Sequence, residues 1–475
     1  MNRKTKIVAT IGPKALEEGE IEKMVDAGVD IFRLNFSYGT HEEHERLIKK
    51  IKETGKDRIK PLAILQDLSG SGVRIGEFEN TEGVGLIEGR DLILSTRSDV
   101  ISCEEIIYVD NPDVPAKVEE GDKILLADGE IELSVSEVKG TEIYCKVLNS
   151  GYLKGGRSLA IVGKEISLPA LTEKDRVDLE FGLNQEVDFV ALSFVRSAED
   201  IDFLRSLIDQ RPEDQRPEVV AKIETLKAVH NFDAILEKVD AVMVARGDLA
   251  VEVNPEEVPL LQKSIIKKCN LVGKPVITAT QMLESMVNSS VPTRAETSDV
   301  ANAILDGTDA IMLSAETAIG KYPLEAIGVM VRTALKVEES YFRSDYIKDE
   351  SKGWEETVNA ITTATVNVSE SIGAKLIVAL TGSGFTARMI SRHRSAPMVL
   401  AITDNERTFR KLSLTFGCLP LFAIRPNSLT ETFGVVRRYV KENSLAQEGD
   451  RVVVAAGAPF DRPDAKINML FVENI

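Results

Sequence analysis

Ala241-Val-Met-Val-Ala-Arg-Gly-Asp248 opens the stretch that decides the fold; a helix-period segment over 259–271 follows it, and then Pro275-Val-Ile-Thr-Ala-Thr-Gln-Met282. Each outer segment is a short apolar run that stops at polar or charged residues, and the segment between them repeats its apolar positions at helical spacing. The unit is strand, helix, strand. Working outward, the same kind of run recurs at 6–11, 30–36, 62–68, 189–195, 219–224 and 310–317, which with these two makes eight candidate strands. Helical patterns follow most of them, over 20–27, 42–54, 198–210, 226–231, 297–305 and 323–341. Eight such units in series predict an α/β fold, a (β/α)8 TIM barrel.

The alternation breaks once. Residues 70–165 carry alternating apolar positions and many turn glycines, as in Lys123-Ile-Leu-Leu-Ala127 and Ile143-Tyr-Cys-Lys-Val-Leu148, and they predict a small β-barrel cap domain inserted over the carboxyl-end face of the barrel. A cap there would close on substrate and exclude water. From 344 a new series begins: a helix over 354–371, then strands near 375–380, 398–402, 419–424 and 451–456. These predict a separate doubly wound α/β domain. The expected division is 1–69 with 166–343 for the barrel, 70–165 for the cap and 344–475 for the carboxyl-terminal domain, matching the prior that a core stops growing near ~250 to 300 residues.

Lysine plus arginine number 58 against 76 aspartates and glutamates, a net charge of −18. That excess repels nucleic acid and anionic lipid over most of the surface, so small anions must be held by local cations. The cysteines (Cys103, Cys145, Cys269, Cys418) show no paired spacing, which fits a reducing compartment. The amino terminus starts basic, but its apolar run is shorter than a signal-peptide core of ~7 to 15 residues, and no segment approaches the ~18 apolar residues of a membrane span. A cytoplasmic location is expected.

In a (β/α)8 barrel the working residues sit at the carboxyl ends of the strands. Here those ends read Arg33-Leu-Asn35-Phe-Ser37, Asp67-Leu68 with Arg74 beyond, Lys222-Ile-Glu224, Ala245-Arg-Gly-Asp248, Thr278-Ala-Thr280-Gln281 and Ser314-Ala-Glu316. Residues two apart share a face, so Lys222 stands beside Glu224, and Arg33 beside Asn35 and Ser37. Glu224 and Asp248 could supply the two carboxylates of a magnesium site that otherwise keeps waters and takes substrate oxygens. Arg33, Arg74 and Lys222 would then hold a phosphoryl group, whose transfer needs positioning and charge stabilisation more than covalent work. Any one of these pairs could equally be a plain salt bridge; their clustering on one face favours a site. Thr381-Gly-Ser-Gly-Phe-Thr386, at a helix start, reads either as a phosphate-holding loop or as a glycine turn with a capping threonine. Arg388, Arg392, His393 and Arg394 read either as a solvated helix face or as part of that anion site. All four histidines, His41, His44, His230 and His393, are expected to be solvated.

Longer motifs carry a resemblance. Thr5-Lys-Ile-Val-Ala-Thr-Ile-Gly-Pro13, Arg33-Leu-Asn-Phe-Ser37, Leu168-Pro-Ala-Leu-Thr-Glu-Lys-Asp175, Met243-Val-Ala-Arg-Gly-Asp-Leu249, Ile277-Thr-Ala-Thr-Gln-Met-Leu-Glu-Ser-Met286 and Pro292-Thr-Arg-Ala-Glu296 resemble pyruvate kinase, and the match runs to the carboxyl terminus. The resemblance implies phosphoryl transfer from phosphoenolpyruvate to ADP, giving pyruvate and ATP, with Mg2+ or Mn2+ and with K+. It implies a homotetramer and a sugar-phosphate or nucleotide effector bound at Thr381, Ser383, Gly384 and Thr386. By matching motif, Arg33, Ser193 and Lys222 resemble residues around the phosphoryl group, and Ala245, Gly247 and Asp248 surround the substrate carboxylate. Glu224 and Asp248 resemble the divalent-metal ligands. Asn35, Ser37, Asp67 and the Leu68 carbonyl resemble the K+ site. Thr280 resembles the threonine near the enolate carbon, while Asn35, Tyr38, Arg74 and Arg157 would face the nucleotide.

The departures cluster on the nucleotide side. Tyr38 stands where the family usually has histidine, and Arg157 where a lysine is expected. Gly70-Ser-Gly-Val-Arg74 replaces a Gly-Pro-Glu or Gly-Pro-Lys run; the acidic form goes with K+ dependence and the lysine form with independence, so Gly72 leaves that question open. Ala250 and Ala315 replace glycines. Two alternatives to an active kinase stay open at this point: a phosphoenolpyruvate-binding regulatory homologue with weak or no activity, and a barrel lyase or isomerase acting without nucleotide.

Overall fold

The structure is a computed structural model describing residues 3–56, 58–80, 83–127, 129–164, 168–340, 354–424, 426, 428–458 and 466–475. Eight parallel strands close into a barrel: Lys6–Thr10, Ile31–Asn35, Ala63–Asp67, Phe189–Leu192, Glu218–Ile223, Ala241–Ala245, Val276–Ala279 and Ala310–Leu313. Inward positions recur at every second residue, and their lower layers are filled by Val8, Ile31, Leu65, Phe189, Val220 and Met243, all fully buried. One step further along the same faces come Arg33, Asp67 and Lys222. The apolar floor fills the barrel's interior and leaves Arg33, Asp67 and Lys222 toward its mouth. Leu414, from the carboxyl-terminal domain, joins the same cluster.

Two barrel helices lie outside the expected segments: Glu173–Asn184, which follows the insert and completes the third unit, and Phe232–Lys238. The first carries a sequence signal in Thr172 and Asp175, which form a reciprocal capping box.

The inserted segment folds as a seven-stranded sheet, with a separate two-stranded pair of Val84–Leu86 and Gly151–Leu153. The sheet's outermost strands, Val73–Arg74 and Ile106–Tyr108, are stitched together by a bridge between Ile75 and Val109, with Gly76 N donating to Tyr108 O at 2.8 Å and Asp110 N to Arg74 O at 3.0 Å. Carboxyl-terminally, Leu376–Leu380, Met398–Thr403, Cys418–Phe422 and Arg451–Ala456 pair in parallel, and Met469–Asn474, absent from the sequence reading, adds an antiparallel edge. Val358, Ala387 and Ile390 cover one face of this sheet, Val436 and Val440 the other, so it is doubly wound. The expected divisions at 165–166 and 343–344 lie outside the described residues.

The foot of the barrel shows a repeated device. Asp30, Asp188, Asp240 and Asp309 each precede an even-numbered barrel strand and clasp the odd strand before it. Each carboxylate accepts the backbone N–H of Ile7, Ile64, Val219 or Val276 at 2.8, 2.9, 2.8 and 3.1 Å, and each aspartate's own N–H returns to the carbonyl of that same residue. An arginine backs every clasp: Arg3, Arg410, Arg205 and Arg394 respectively. Two of these come from the carboxyl-terminal domain.

This corrects the reading of the basic cluster at 388–394 as a solvated face. Arg388 pairs with Glu218 at 2.8 Å, Arg392 donates to Leu271 O and Arg394 pairs with Asp309, so all three reach the barrel, while Arg388 also donates to Ser383 O at 3.2 Å in the Thr381 loop. Two of the histidines were also misread. His44 is buried against Phe36, stacked at 4.1 Å, and His393 is buried beside Thr362 of the carboxyl-terminal domain. Burial, with Arg392 adding, pushes the His393 imidazole down to about 4. The unfolded chain therefore takes up this proton first as pH falls through 6.5, and stability drops until the folded-state value near 4 is passed. We expect wild type to lose on the order of 3 kcal/mol more than His393→Gln between pH 6.5 and 4, measured by urea midpoints at each pH. Parallel curves would remove His393 from the acid response.

Candidate active site

Lys222, on the fifth barrel strand, is the centre of the cluster at the barrel mouth. Its Nζ lies 2.9 Å from Glu224 Oε1, 3.3 Å from Asp67 Oδ1 and 2.6 Å from Ser193 Oγ. Desolvation pulls its pKa down, but Asp67 and Glu224 outweigh that and hold it up at about 12, so it is an ammonium at every working pH. Asp67 is pushed up by burial and, more strongly, down by Lys222 and Arg33, and it stays ionised. Arg33 Nε meets Asp67 Oδ2 at 2.7 Å, and its Nη1 donates to Thr10 Oγ1 at 2.9 Å. The Ser193 hydroxyl donates to the Leu68 carbonyl at 2.8 Å. Strands two, three and five thus bring two cations and two carboxylates into one buried knot, as their sequence ends predict, and Ser193, just past strand four, joins it.

Glu224 is nearly wholly buried; its Oε2 accepts Phe194 N at 2.6 Å, while its Oε1 accepts no aligned hydrogen bond despite the nearby ammonium. A buried carboxylate oxygen left in that state fits a cation ligand, and Asp248 lines the same cavity. Among the described residues no group of three His, Cys, Asp or Glu converges as a self-sufficient metal cage. The donor set therefore suits an ion that takes its remaining ligands from water and substrate. This cavity, about 270 Å³, runs between barrel and cap from Glu224 and Asp248 to Ser71, Ser158 and Lys164.

Thr280 sits in a strained turn after strand seven, with φ of +64° and Gln281 at +54°. Such backbone persists only when its surroundings enforce it. Here Arg246, which the sequence reading passed over, supplies the constraint: its guanidinium donates to the carbonyls of Ala279 and Thr280 at 3.3 and 2.8 Å while pairing with Asp299 at 2.7 Å. Thr280 Oγ1 in turn accepts Gly247 N at 2.8 Å, which ties the turn to Ala245–Asp248.

Other residues of the strand ends fall elsewhere. Glu316 turns away from the mouth to accept Ser314 N and Leu283 N at 2.7 and 3.0 Å, and Thr278 bonds Thr308 inside the wall. Among the residues expected to face a nucleotide, Asn35 Oδ1 accepts Ser37 N at 3.1 Å, Tyr38 is 70% exposed, Arg74 donates to Gly156 O at 3.0 Å within the cap, and Arg157 lies 3.7 Å from Glu130. These contacts keep Arg74 and Arg157 within the cap. In the Thr381 loop, Thr381 Oγ1 accepts Gly384 N at 2.8 Å, and Gly384, with φ +84°, stands at the N-cap of the following helix without a side-chain capping bond.

An eight-strand barrel carrying a buried cation–carboxylate knot at its carboxyl-end mouth, beneath an inserted cap, defines an enzyme of the phosphotransferase kind. The description "Pyruvate kinase, barrel domain" matches residues 2–327, and "Pyruvate kinase, alpha/beta domain" matches 359–472. The chain is 43% identical over 462 residues to pyruvate kinase of Geobacillus stearothermophilus, covering 97% of this chain and 78% of that protein. With pyruvate kinase of Clostridium perfringens it shares 39% identity over 479 residues and the full length of both. A crystal structure of a pyruvate kinase from Cryptosporidium parvum superposes with a TM-score of 0.90 at 34% identity, covering 99% and 96% of the two chains. The chain belongs to the pyruvate kinase family.

Proposed function

We propose that this chain transfers the phosphoryl group of phosphoenolpyruvate to ADP, forming pyruvate and ATP in glycolysis. The observation that carries the reading is the Lys222 ammonium, buried between Asp67 and Glu224 with Arg33 alongside. In this reading Arg33 and Lys222 hold the phosphoryl oxygens. Lys222, kept charged by its carboxylate neighbours, meets the charge that develops as the group leaves the enol oxygen. The peptide from Ala245 to Asp248 receives the substrate carboxylate, and Ser193 orients Lys222. Thr280, held by Arg246, stands where the enolate carbon is protonated.

Glu224 and Asp248 would hold Mg2+ or Mn2+, which when bound supplies further positive charge to the phosphoryl and carboxylate oxygens. Asn35, Ser37, Asp67 and the Leu68 carbonyl would hold K+, and Asn35, Tyr38, Arg74 and Arg157 would meet the nucleotide once the cap closes. A homotetramer with a sugar-phosphate or nucleotide effector at Thr381, Ser383, Gly384 and Thr386, working in the cytoplasm, completes the proposal. Among the described residues no helix is long and apolar enough to cross a membrane. No observation favours the binding-only alternative.

The test is steady-state pyruvate formation from phosphoenolpyruvate and ADP. Turnover is expected with Mg2+ and is expected to vanish when a chelator removes it; running the assay with and without K+ reports whether the monovalent site is used. Absence of pyruvate while phosphoenolpyruvate still binds would overturn the catalytic reading.

A further inference from the structure

The insert joins the barrel by two connections: the turn Ser69-Gly70-Ser71 after the third strand, and the segment Leu168-Pro-Ala-Leu-Thr172 that enters the helix Glu173–Asn184. Asp175, fully buried, lies between them. Its Oδ2 accepts Thr172 N at 3.0 Å and Thr172 Oγ1 at 2.6 Å, the ordinary duty of a capping carboxylate. Its other oxygen does something the helix does not need: Oδ1 accepts Gly70 N at 3.1 Å. A single carboxylate therefore binds both connections at once.

What Gly70 touches makes this bond matter. Gly70 has φ +72°, and a β-carbon there would come within 2.7 Å of Ser193 Cβ and 2.8 Å of Ser193 O. The Gly70 backbone is thus seated directly on Ser193, whose hydroxyl lies 2.6 Å from Lys222 Nζ and donates to the Leu68 carbonyl. The neighbouring Lys174 reaches the other way, donating from Nζ to the Phe36 carbonyl at 2.6 Å, in the peptide stretch between Asn35 and Ser37. The first turn of one helix grips the turns that follow strands two and three.

We propose that Asp175 is a positioning residue for the reaction: it fixes the Gly70 turn, and through Ser193 the Lys222 ammonium, to the segment by which the cap returns to the barrel. The proposal rests on the phosphoryl-transfer reading above. Displacing a reacting group by a fraction of an ångström lowers rate more than it lowers ground-state binding.

Two variants separate this role from helix capping. Thr172→Val removes the capping hydroxyl and leaves both the Thr172 N–H and the Gly70 bond; it is expected to lower Tm while kcat stays within about twofold. Asp175→Asn keeps one acceptor oxygen for two buried partners, so either Gly70 or Thr172 loses its bond. It is expected to lower kcat about tenfold with a smaller change in KM for phosphoenolpyruvate. If both variants lower Tm and neither lowers kcat, Asp175 is a helix cap only and the proposal fails. Should Asp175→Asn not fold, amide exchange on the unaltered protein decides. Gly70 N–H protected as strongly as the barrel-strand amides supports the staple, and exchange at the rate of the cap's exposed amides overturns it. Turnover of the unaltered protein tests the functional reading separately, since the proposal depends on the ratio between variants.

Discussion

Lys222→Met is expected to lower kcat by about three to four orders of magnitude while the protein remains folded and phosphoenolpyruvate still binds. Methionine keeps most of the length of lysine and none of its charge, so the barrel wall stays filled while the ammonium between Asp67 and Glu224 disappears. Arg33 still pairs with Asp67 at 2.7 Å and leaves a cation for the ground-state phosphate. The loss should therefore fall on the step in which charge moves rather than on binding. Pyruvate formation measured beside calorimetric binding of phosphoenolpyruvate separates the two. Turnover within tenfold of wild type would remove Lys222 from the mechanism. The ammonium's raised pKa also fixes a sign: its contribution to stability is complete below 10.5 and is lost only as pH climbs through about 12, so an alkaline fall in activity below pH 10 belongs to another group.

Arg394→Met is expected to cost about 3 to 5 kcal/mol of stability, the toll of leaving a buried carboxylate without its cation. Arg394 and Asp309 are 4% and 5% exposed at their side chains and meet through both guanidinium ends at 3.1 and 2.9 Å. The same guanidinium donates to Asn270 Oδ1 at 2.7 Å and to Gly307 O at 2.6 Å, and it stacks on Phe416 with 4.5 Å to the ring centre. Asp309 cannot simply discharge without consequence, because it also accepts Val276 N and Phe416 N. Denaturant midpoints measure the effect, and Arg394→Met combined with Asp309→Asn should recover part of it. A loss under about 1 kcal/mol would mean that water reaches this junction and screens the pair.

The barrel was legible because its signal is local: eight apolar runs, each stopped by polar residues, with helical spacing between them. The knot at its mouth was legible for the same reason, since period two along a strand puts Lys222 with Glu224 and Arg33 with Asn35 whatever the rest of the chain does. What escaped the reading depends on partners remote in sequence. Glu316 looks like a site residue at a strand end, yet the backbone N–H groups of Leu283 and Ser314 claim it. Arg388, Arg392 and Arg394 look like a solvated helix face until the barrel's foot supplies Glu218 and Asp309. Arg246 lies one residue past strand six, and its importance appears only when the strained Thr280 turn is seen folded over it.

The four aspartate clasps at the foot of the barrel also carry a timetable. Those at Asp30 and Asp240 are completed by Arg3 and Arg205, both made before the strands they serve. Those at Asp188 and Asp309 wait for Arg410 and Arg394, which leave the ribosome only after all eight barrel strands have been synthesised. At ~5 to 20 residues per second, the nascent barrel spends seconds with two carboxylates at its base still uncompensated. The pairs of strands three with four and seven with eight then lock when the carboxyl-terminal domain arrives, so the order of translation is written into which arginine closes which clasp.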